Sequence, residues 1–276
     1  DDAAVVRAGG GVDLLLTSDG IGEGRHFQAG ADWAAVGHKA VARVLSDLAA
    51  MGGEPQWALI DLVAPGALAV ESIEAVYDGA TRVAERFGMA IVGGDTAEGD
   101  RLQLHVFGVG RVPEGTAVLR SGARPGQALY VTGSLGGSGT GRHLRFVPRV
   151  EEGRWLREQS WAGAMIDVSD GLATDARHLA ECSRAGCTLV ADRVPRSPAA
   201  GSLDEALCDG EDFELLFTVD AHRKDAFEAA WRARFDLPCT AIGSITGDAG
   251  EVGLVDASGV TRRLPDRGYE HFGDSG

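Results

Sequence analysis

The stretch AMIDVSDGLATDARHLAECS, Ala164 to Ser183, decides the fold. Four apolar residues around Asp167 read as a short buried strand. Ser169-Asp170-Gly171 reads as a turn, and Leu172, Ala176, Leu179 and Ala180 recur at helical spacing behind it. A strand that passes through a tight turn into a helix is the unit of an α/β protein. The turn also gathers carboxylates in a chain whose formal net charge is already -15. Taken alone it reads as a helix cap, with Ser169 or Asp170 accepting the first free amides. Asp175, one helical turn on, reads as solvated.

Similar units flank this one. Upstream, VDLLLT (12–17), QWALIDLV (56–63), AIVGG (90–94) and RLQLHVFGVG (101–110) read as strands. ADWAAVGHKAVARVLSDLAAMGG (31–53) and SIEAVYDGATRVAERFG (72–88) read as helices, each stopped by glycine. Downstream, ALYVTG (128–133), AMIDV (164–168) and FELLFTV (213–219) read as strands, while ATDARHLAECS (173–183) and HRKDAFEAAWRARF (222–235) read as helices. The proline- and glycine-bearing segment from Arg111 to Gly126 divides the halves. The expected architecture is therefore α/β in two domains (α+β overall), at 1–113 and 124–276.

The 276 residues carry 41 acidic and 26 basic side chains, an unsuitable surface for sequence-independent nucleic-acid binding. Hydrophobic residues make up 44%, with no run of membrane-spanning length, so a cytoplasmic protein without nucleic-acid or membrane partners is expected. The chain opens at Asp1 inside what reads as a functional loop, so a preceding segment is expected. Cys182, Cys187, Cys208 and Cys239 form no C-x-x-C pair and read as buried free thiols.

Acidic residues beside glycines or strand ends recur at Asp1 and Asp2, Ser18-Asp19, Asp47, Gly94-Asp95, and Glu211-Asp212. TSDG (17–20) and VSDG (168–171) look alike, each a Ser-Asp-Gly after an apolar run. So many clusters exceed what capping needs. Glycines let backbone approach a phosphate, and carboxylates hold the Mg²⁺ that neutralises it, the arrangement phosphoryl transfer requires. An EF-hand fails, because the loop from Asp167 puts Leu172 at the sixth position and His178 at the twelfth. GSLGGSGTGRH (133–143) lacks the Gly-Lys-Ser/Thr ending of a Walker loop and reads as a surface turn.

In order along the chain, DDAAVV, TSDGIGEGRHF, GHKAVARVLSDLAAMGGEP, IVGGDTAEG, LRSGARPGQALYVTGSLGGS, MIDVSDGLATD, GEDFELLFTV and GYEHF resemble the thiamine-monophosphate kinases. These belong with aminoimidazole ribonucleotide synthetase, selenophosphate synthetase and the hydrogenase-maturation dehydratase. The resemblance implies a PurM-like fold: an N-terminal α/β domain forming a dimer-interface β-barrel in a homodimer, and a C-terminal α/β sandwich covering an active-site cleft. It implies direct transfer of the ATP γ-phosphoryl to thiamine monophosphate, with several Mg²⁺ ions. It further implies metal ligands at Asp1, Ser18, Asp19, Asp47, Asp95, Asp167 and Asp170, of which Asp47, Asp95 and Asp167 are central to catalysis. ATP contacts are implied at Gly94, Asp95, Arg120 and Ser169, and thiamine phosphate contacts at His26, Glu211 and Tyr269. One departure is Gly20, where the family often has threonine. The alternatives are another ATP-dependent synthetase of the superfamily and a catalytically silent ATP- and Mg-binding homologue. Selenophosphate synthetase is disfavoured because no cysteine precedes Cys182.

Overall fold

A computed structural model describes residues 1–264. The chain divides into two compact units: Asp2–Ala117 with Leu144–Arg154, called the N-terminal unit here, and Asp1, Val118–His143 and Trp155 onward, called the C-terminal unit.

The N-terminal unit contains β1 (Ala4–Gly9), β2 (Val12–Gly22), α1 (Trp33–Ala50), β3 (Glu54–Ala64), α2 (Val70–Arg86), β4 (Ala90–Glu98) and β5 (Gln103–Pro113). Its sheet has the order β1-β2-β5-β3-β4 and is antiparallel except where β4 runs parallel to β3. Along β3 the alternation is strict. Ala58, Ile60, Leu62 and Ala64 are buried, whereas Trp57, Leu59 and Asp61 are exposed.

The buried face carries α1, whose Val36, Val41, Val44, Leu45 and Leu48 are fully buried. Asp32 caps α1 by accepting the Ala34 amide, and Gly52, at φ 68°, closes its end. Helices α1 and α2 touch backbone to backbone. A Cβ on Gly37 would lie 1.8 Å from the Val76 carbonyl oxygen, and one on Gly79 would lie 1.8 Å from that of Ala34. The opposite sheet face is open, with Trp57, Leu59 and Phe107 exposed by 48%, 40% and 38%.

The C-terminal unit contains β6 (Ala128–Thr132), the latter part of α3 (Val150–Glu158), β7 (Met165–Asp167), α4 (Leu172–Cys182), β8 (Gly186–Val190), α5 (Leu203–Cys208), β9 (Leu215–Val219), α6 (Lys224–Arg234), β10 (Cys239–Thr246), β11 (Val252–Val255) and β12 (Thr261–Arg263). Its sheet order is β12-β11-β8-β10-β6-β9-β7. Both faces of the central strands are covered, which is why all five residues of β9 are buried and four of them are apolar. Leu129, Val131 and Leu216 join the aliphatic core with Leu172, Ala176 and Leu179 of α4. Tyr130 and Phe217 instead enter an aromatic cluster with Phe227 and Trp231 of α6.

Among the described residues no helix is long and apolar enough to cross a membrane. The thiols differ from expectation in one place: Cys187 is buried and Cys208 and Cys239 are partly so, but Cys182, on the last turn of α4, is exposed.

Candidate active site

In the N-terminal unit the acidic residues sit within strands and on α1. β2 continues through Ser18, Asp19 and Gly20, pairing with β5 as far as Gly22 opposite Gln103. TSDG is therefore strand, and its likeness to VSDG is one of sequence only. Asp19 accepts the Gly20 amide at 2.9 Å and pairs with the Arg43 guanidinium from α1. Gly20 faces His105 across the ladder, and a Cβ there would lie 2.8 Å from the ring Nδ1, so the space a threonine would use is held by imidazole.

Asp47 accepts the Thr17 hydroxyl at 2.5 Å, and carboxylate oxygens of Asp2 and Asp47 lie within 4.8 Å of each other. Asp2 was not singled out as a ligand in the sequence. Asp1, which was, spends a carboxylate oxygen on the Arg120 amide at 2.9 Å.

Gly93, Gly94 and Asp95 also lie within a strand, on β4 at the sheet edge. Gly94 has φ 153° and no room for a side chain, since a Cβ would lie 1.9 Å from the Ile60 carbonyl oxygen. Asp95 is the register partner of Asp61, and both are exposed. Like charges on neighbouring strands are unfavourable. Asp61 is a second acidic residue the motifs did not single out. His26 accepts the Gly22 amide through Nδ1 at 3.1 Å, and its carbonyl receives the fully buried Lys39 ammonium at 2.7 Å.

In the C-terminal unit Asp167 ends β7 and is 1% exposed, while Ser169 and Asp170 are half-buried in the turn that follows. The cap differs from expectation. The N-cap of α4 is Gly171, at φ 105°, with no side-chain hydrogen bond. Asp175 is buried rather than solvated, and it reaches back to accept the Asp170 amide at 3.1 Å. The Ser169 and Asp170 side chains therefore do not cap the helix, which departs from the cap reading of the turn taken alone.

The Cys208–Glu214 segment lies along this turn. The Glu211 amide donates to the Ser169 carbonyl at 2.7 Å and the Phe213 amide to the Val168 carbonyl at 2.8 Å. Glu211 stands 3.2 Å from His143 Nδ1. The glycine-rich stretch 133–141 is not a loose surface turn, because Gly136, Gly137 and Ser138 are buried and tied to Asp212 and Asp209. Tyr269 lies outside the described residues.

Burial pushes the Asp212 carboxyl up from its ordinary 3.8 to about 6, against the opposing pull of its donors. The native state therefore holds this proton longer than the unfolded chain does. Its contribution to stability is complete below about pH 4 and is lost as pH rises through about 6. Asp212→Asn is expected to flatten that part of the stability curve, measured by urea unfolding between pH 4 and 7. An unaltered slope would show that Asp212 is ionised throughout.

The residue patterns and their placement have counterparts in known proteins. Residues 1–112 match the family model described as AIR synthase related protein, N-terminal domain. The thiamine-monophosphate kinase of Salmonella typhimurium is 34% identical over 99% of this chain and 90% of its own, and that of Rhodopirellula baltica is 36% identical over 98% and 90%. Among solved structures, AaThiL complexed with AMPPCP and TMP superposes with TM-score 0.87 at 32% identity, covering 99% of this chain and 91% of its own. Thiamine-monophosphate kinase from Stenotrophomonas maltophilia K279a gives 0.83 at 34%, covering 92% and 89%. The hydrogenase maturation protein HypE, at 22% identity and TM-score 0.78 with 96% and 88% covered, shares the fold. Identity of this extent, spread over nearly the whole chain, places it in the thiamine-monophosphate kinase family.

Proposed function

We infer that the protein is an ATP-dependent phosphotransferase acting on thiamine monophosphate. The observation that carries this reading is the match to thiamine-monophosphate kinases over 98–99% of the chain, at 34–36% identity. A relative of the same fold has been solved with both AMPPCP and TMP bound, an ATP analogue and the acceptor. In the reaction an oxygen of the acceptor phosphate forms a new bond to the γ-phosphorus. The bond from that phosphorus to the β-phosphate oxygen breaks, and thiamine diphosphate and ADP leave.

Little covalent chemistry falls to the protein in such a transfer, so positioning and charge neutralisation carry it. The donors fit Mg²⁺: carboxylate and hydroxyl oxygens, with no thiol among the candidate ligands. Asp2, Ser18, Asp19, Asp47 and Asp95 of the N-terminal unit and Asp167 and Asp170 of the C-terminal unit are proposed to hold the ions. When bound, Mg²⁺ neutralises the phosphate oxygens. Gly94, Arg120 and Ser169 are proposed to contact ATP. His26 and Glu211 are proposed on the side of the thiamine phosphate, with Tyr269 as a further contact, and Asp1 is proposed as a further Mg²⁺ ligand.

The test is an assay of purified protein with Mg-ATP and thiamine monophosphate. ADP and thiamine diphosphate are expected in equal amounts, and the melting temperature is expected to rise with Mg²⁺ and fall back with chelator. Bound nucleotide without either product would overturn the kinase reading and favour the silent homologue.

The open face of the N-terminal sheet supports a homodimer. Leu59 and Phe107 are register partners, and with Trp57 they make an apolar surface that a monomer would leave wet. Trp57→Asp is expected to convert a dimer to monomer by light scattering. A wild-type chain that is monomeric at micromolar concentration would sink this assignment.

A further inference from the structure

Asp212 is 2% exposed, and each of its hydrogen-bond donors comes from the glycine-rich stretch some seventy residues upstream. The carboxylate receives the Gly136 amide at 2.8 Å, the Ser138 hydroxyl at 2.6 Å and the Arg142 guanidinium. The stretch is cross-braced besides. Asp209 accepts the Gly137 amide at 2.9 Å, Arg142 donates to the Ser134 carbonyl at 2.9 Å, and the Ser197 hydroxyl donates to the Gly136 carbonyl at 2.5 Å.

The residues on either side of Asp212 are both left-handed, Glu211 at φ 65° and Phe213 at φ 52°. Neither is a glycine, and such a conformation persists only where its surroundings enforce it. Enforcement comes from two sides. The amides of Glu211 and Phe213 are held by the Ser169 and Val168 carbonyls, and the side chain between them is held by the glycine-rich stretch. A relaxation of Glu211 to right-handed backbone would swing its Cα–Cβ bond away from His143, the residue that ends the same stretch.

We propose that Asp212 is a positioning residue: by gripping Gly136, Ser138 and Arg142 it keeps Glu211 left-handed and its carboxylate beside His143, aimed at the acceptor. This rests on the reading of Glu211 as a thiamine phosphate contact. A carboxylate buried at this cost is better explained by the strained neighbours it secures than by stability, since an apolar side chain would be cheaper there.

The experiment compares Asp212→Asn, Ser138→Ala and Glu211→Gln in the full chain, by amide hydrogen exchange and by steady-state kinetics with each substrate varied. Asp212→Asn is expected to speed exchange at Gly136, Gly137 and Glu211 and to raise KM for thiamine monophosphate by about 10-fold or more, with KM for Mg-ATP unchanged. Ser138→Ala is expected to do the same more weakly, and Asp212→Asn is expected to add little to Glu211→Gln. A folded Asp212→Asn chain with unaltered KM for the acceptor, or with both KM values raised equally, would overturn the proposal. Should that chain not fold, an unaltered Ser138→Ala enzyme overturns it instead. If Glu211→Gln leaves the acceptor KM unchanged, the reading of Glu211 fails. In that case faster exchange at Glu211 in Asp212→Asn still supports the grip, and unchanged exchange overturns it.

Discussion

Asp47→Asn is expected to lower kcat/KM by about 10²–10³-fold, the loss seen when one preorganised electrostatic group is removed from an active site. Asparagine is nearly the same shape and can still accept the Thr17 hydroxyl that Asp47 accepts at 2.5 Å, so the fold should persist. What disappears is a negative charge next to Asp2. The Mg²⁺ concentration for half-maximal rate should therefore rise, and the melting temperature of the metal-free protein should hold or increase, because a like-charge contact has gone. Asp204→Asn is the control. Asp204 is exposed in the first turn of α5, where a substitution is worth within about 0.5 kcal/mol. Equal losses in the two variants would count against the metal assignment.

Gly94→Ala is expected to be strongly destabilising. The clash at 1.9 Å is with the Ile60 carbonyl oxygen, which is backbone, so no rotamer change relieves it and β4 must part from β3. Overpacking and a backbone only glycine tolerates together cost about 3–5 kcal/mol. For a protein of this size that is a fall of about 10 °C in melting temperature. Gly93→Ala provides the contrast. Its Cβ would stand 3.4 Å from Leu59 Cδ2, an ordinary contact, at a backbone angle that alanine accepts. Calorimetry showing equal melting temperatures for the two variants would refute the account of why β4 carries paired glycines. Activity should fall in step with stability for Gly94→Ala, because the same displacement moves Asp95 away from Asp61.

The strands and helices that were legible in the sequence are those whose burial follows a local period. β3 alternates residue by residue, and α1 turns one apolar stripe to the sheet, so both could be read from spacing. β1 could not. It is an exposed edge strand whose AVVRAG carries no alternation, and it is held by pairing with β2. The short α5, β11 and β12 gave too few residues for a period to show, and β10, though eight residues long, buries only Ile242 and Ile245 and shows no alternation.

Site chemistry divides in the same way. Carboxylates beside glycine, in a chain of net charge -15, were enough to point to metal-assisted phosphate chemistry, because residue type alone decides what can hold Mg²⁺. Where each carboxylate sits was decided by contacts distant in sequence. Asp1 is drawn to Arg120, 119 residues away, and Asp2 stands beside Asp47. Asp212 was only one of the clustered carboxylates in the sequence, yet it is buried and receives three donors from the glycine-rich stretch. The cap on α4 differs from its motif, since Gly171 takes the N-cap position and Asp175 reaches back to the Asp170 amide. Local periodicity and residue chemistry determined the α/β class and the kind of reaction. Tertiary structure decided the setting of each carboxylate, because the donors that meet it and the water it loses are set by residues far along the chain.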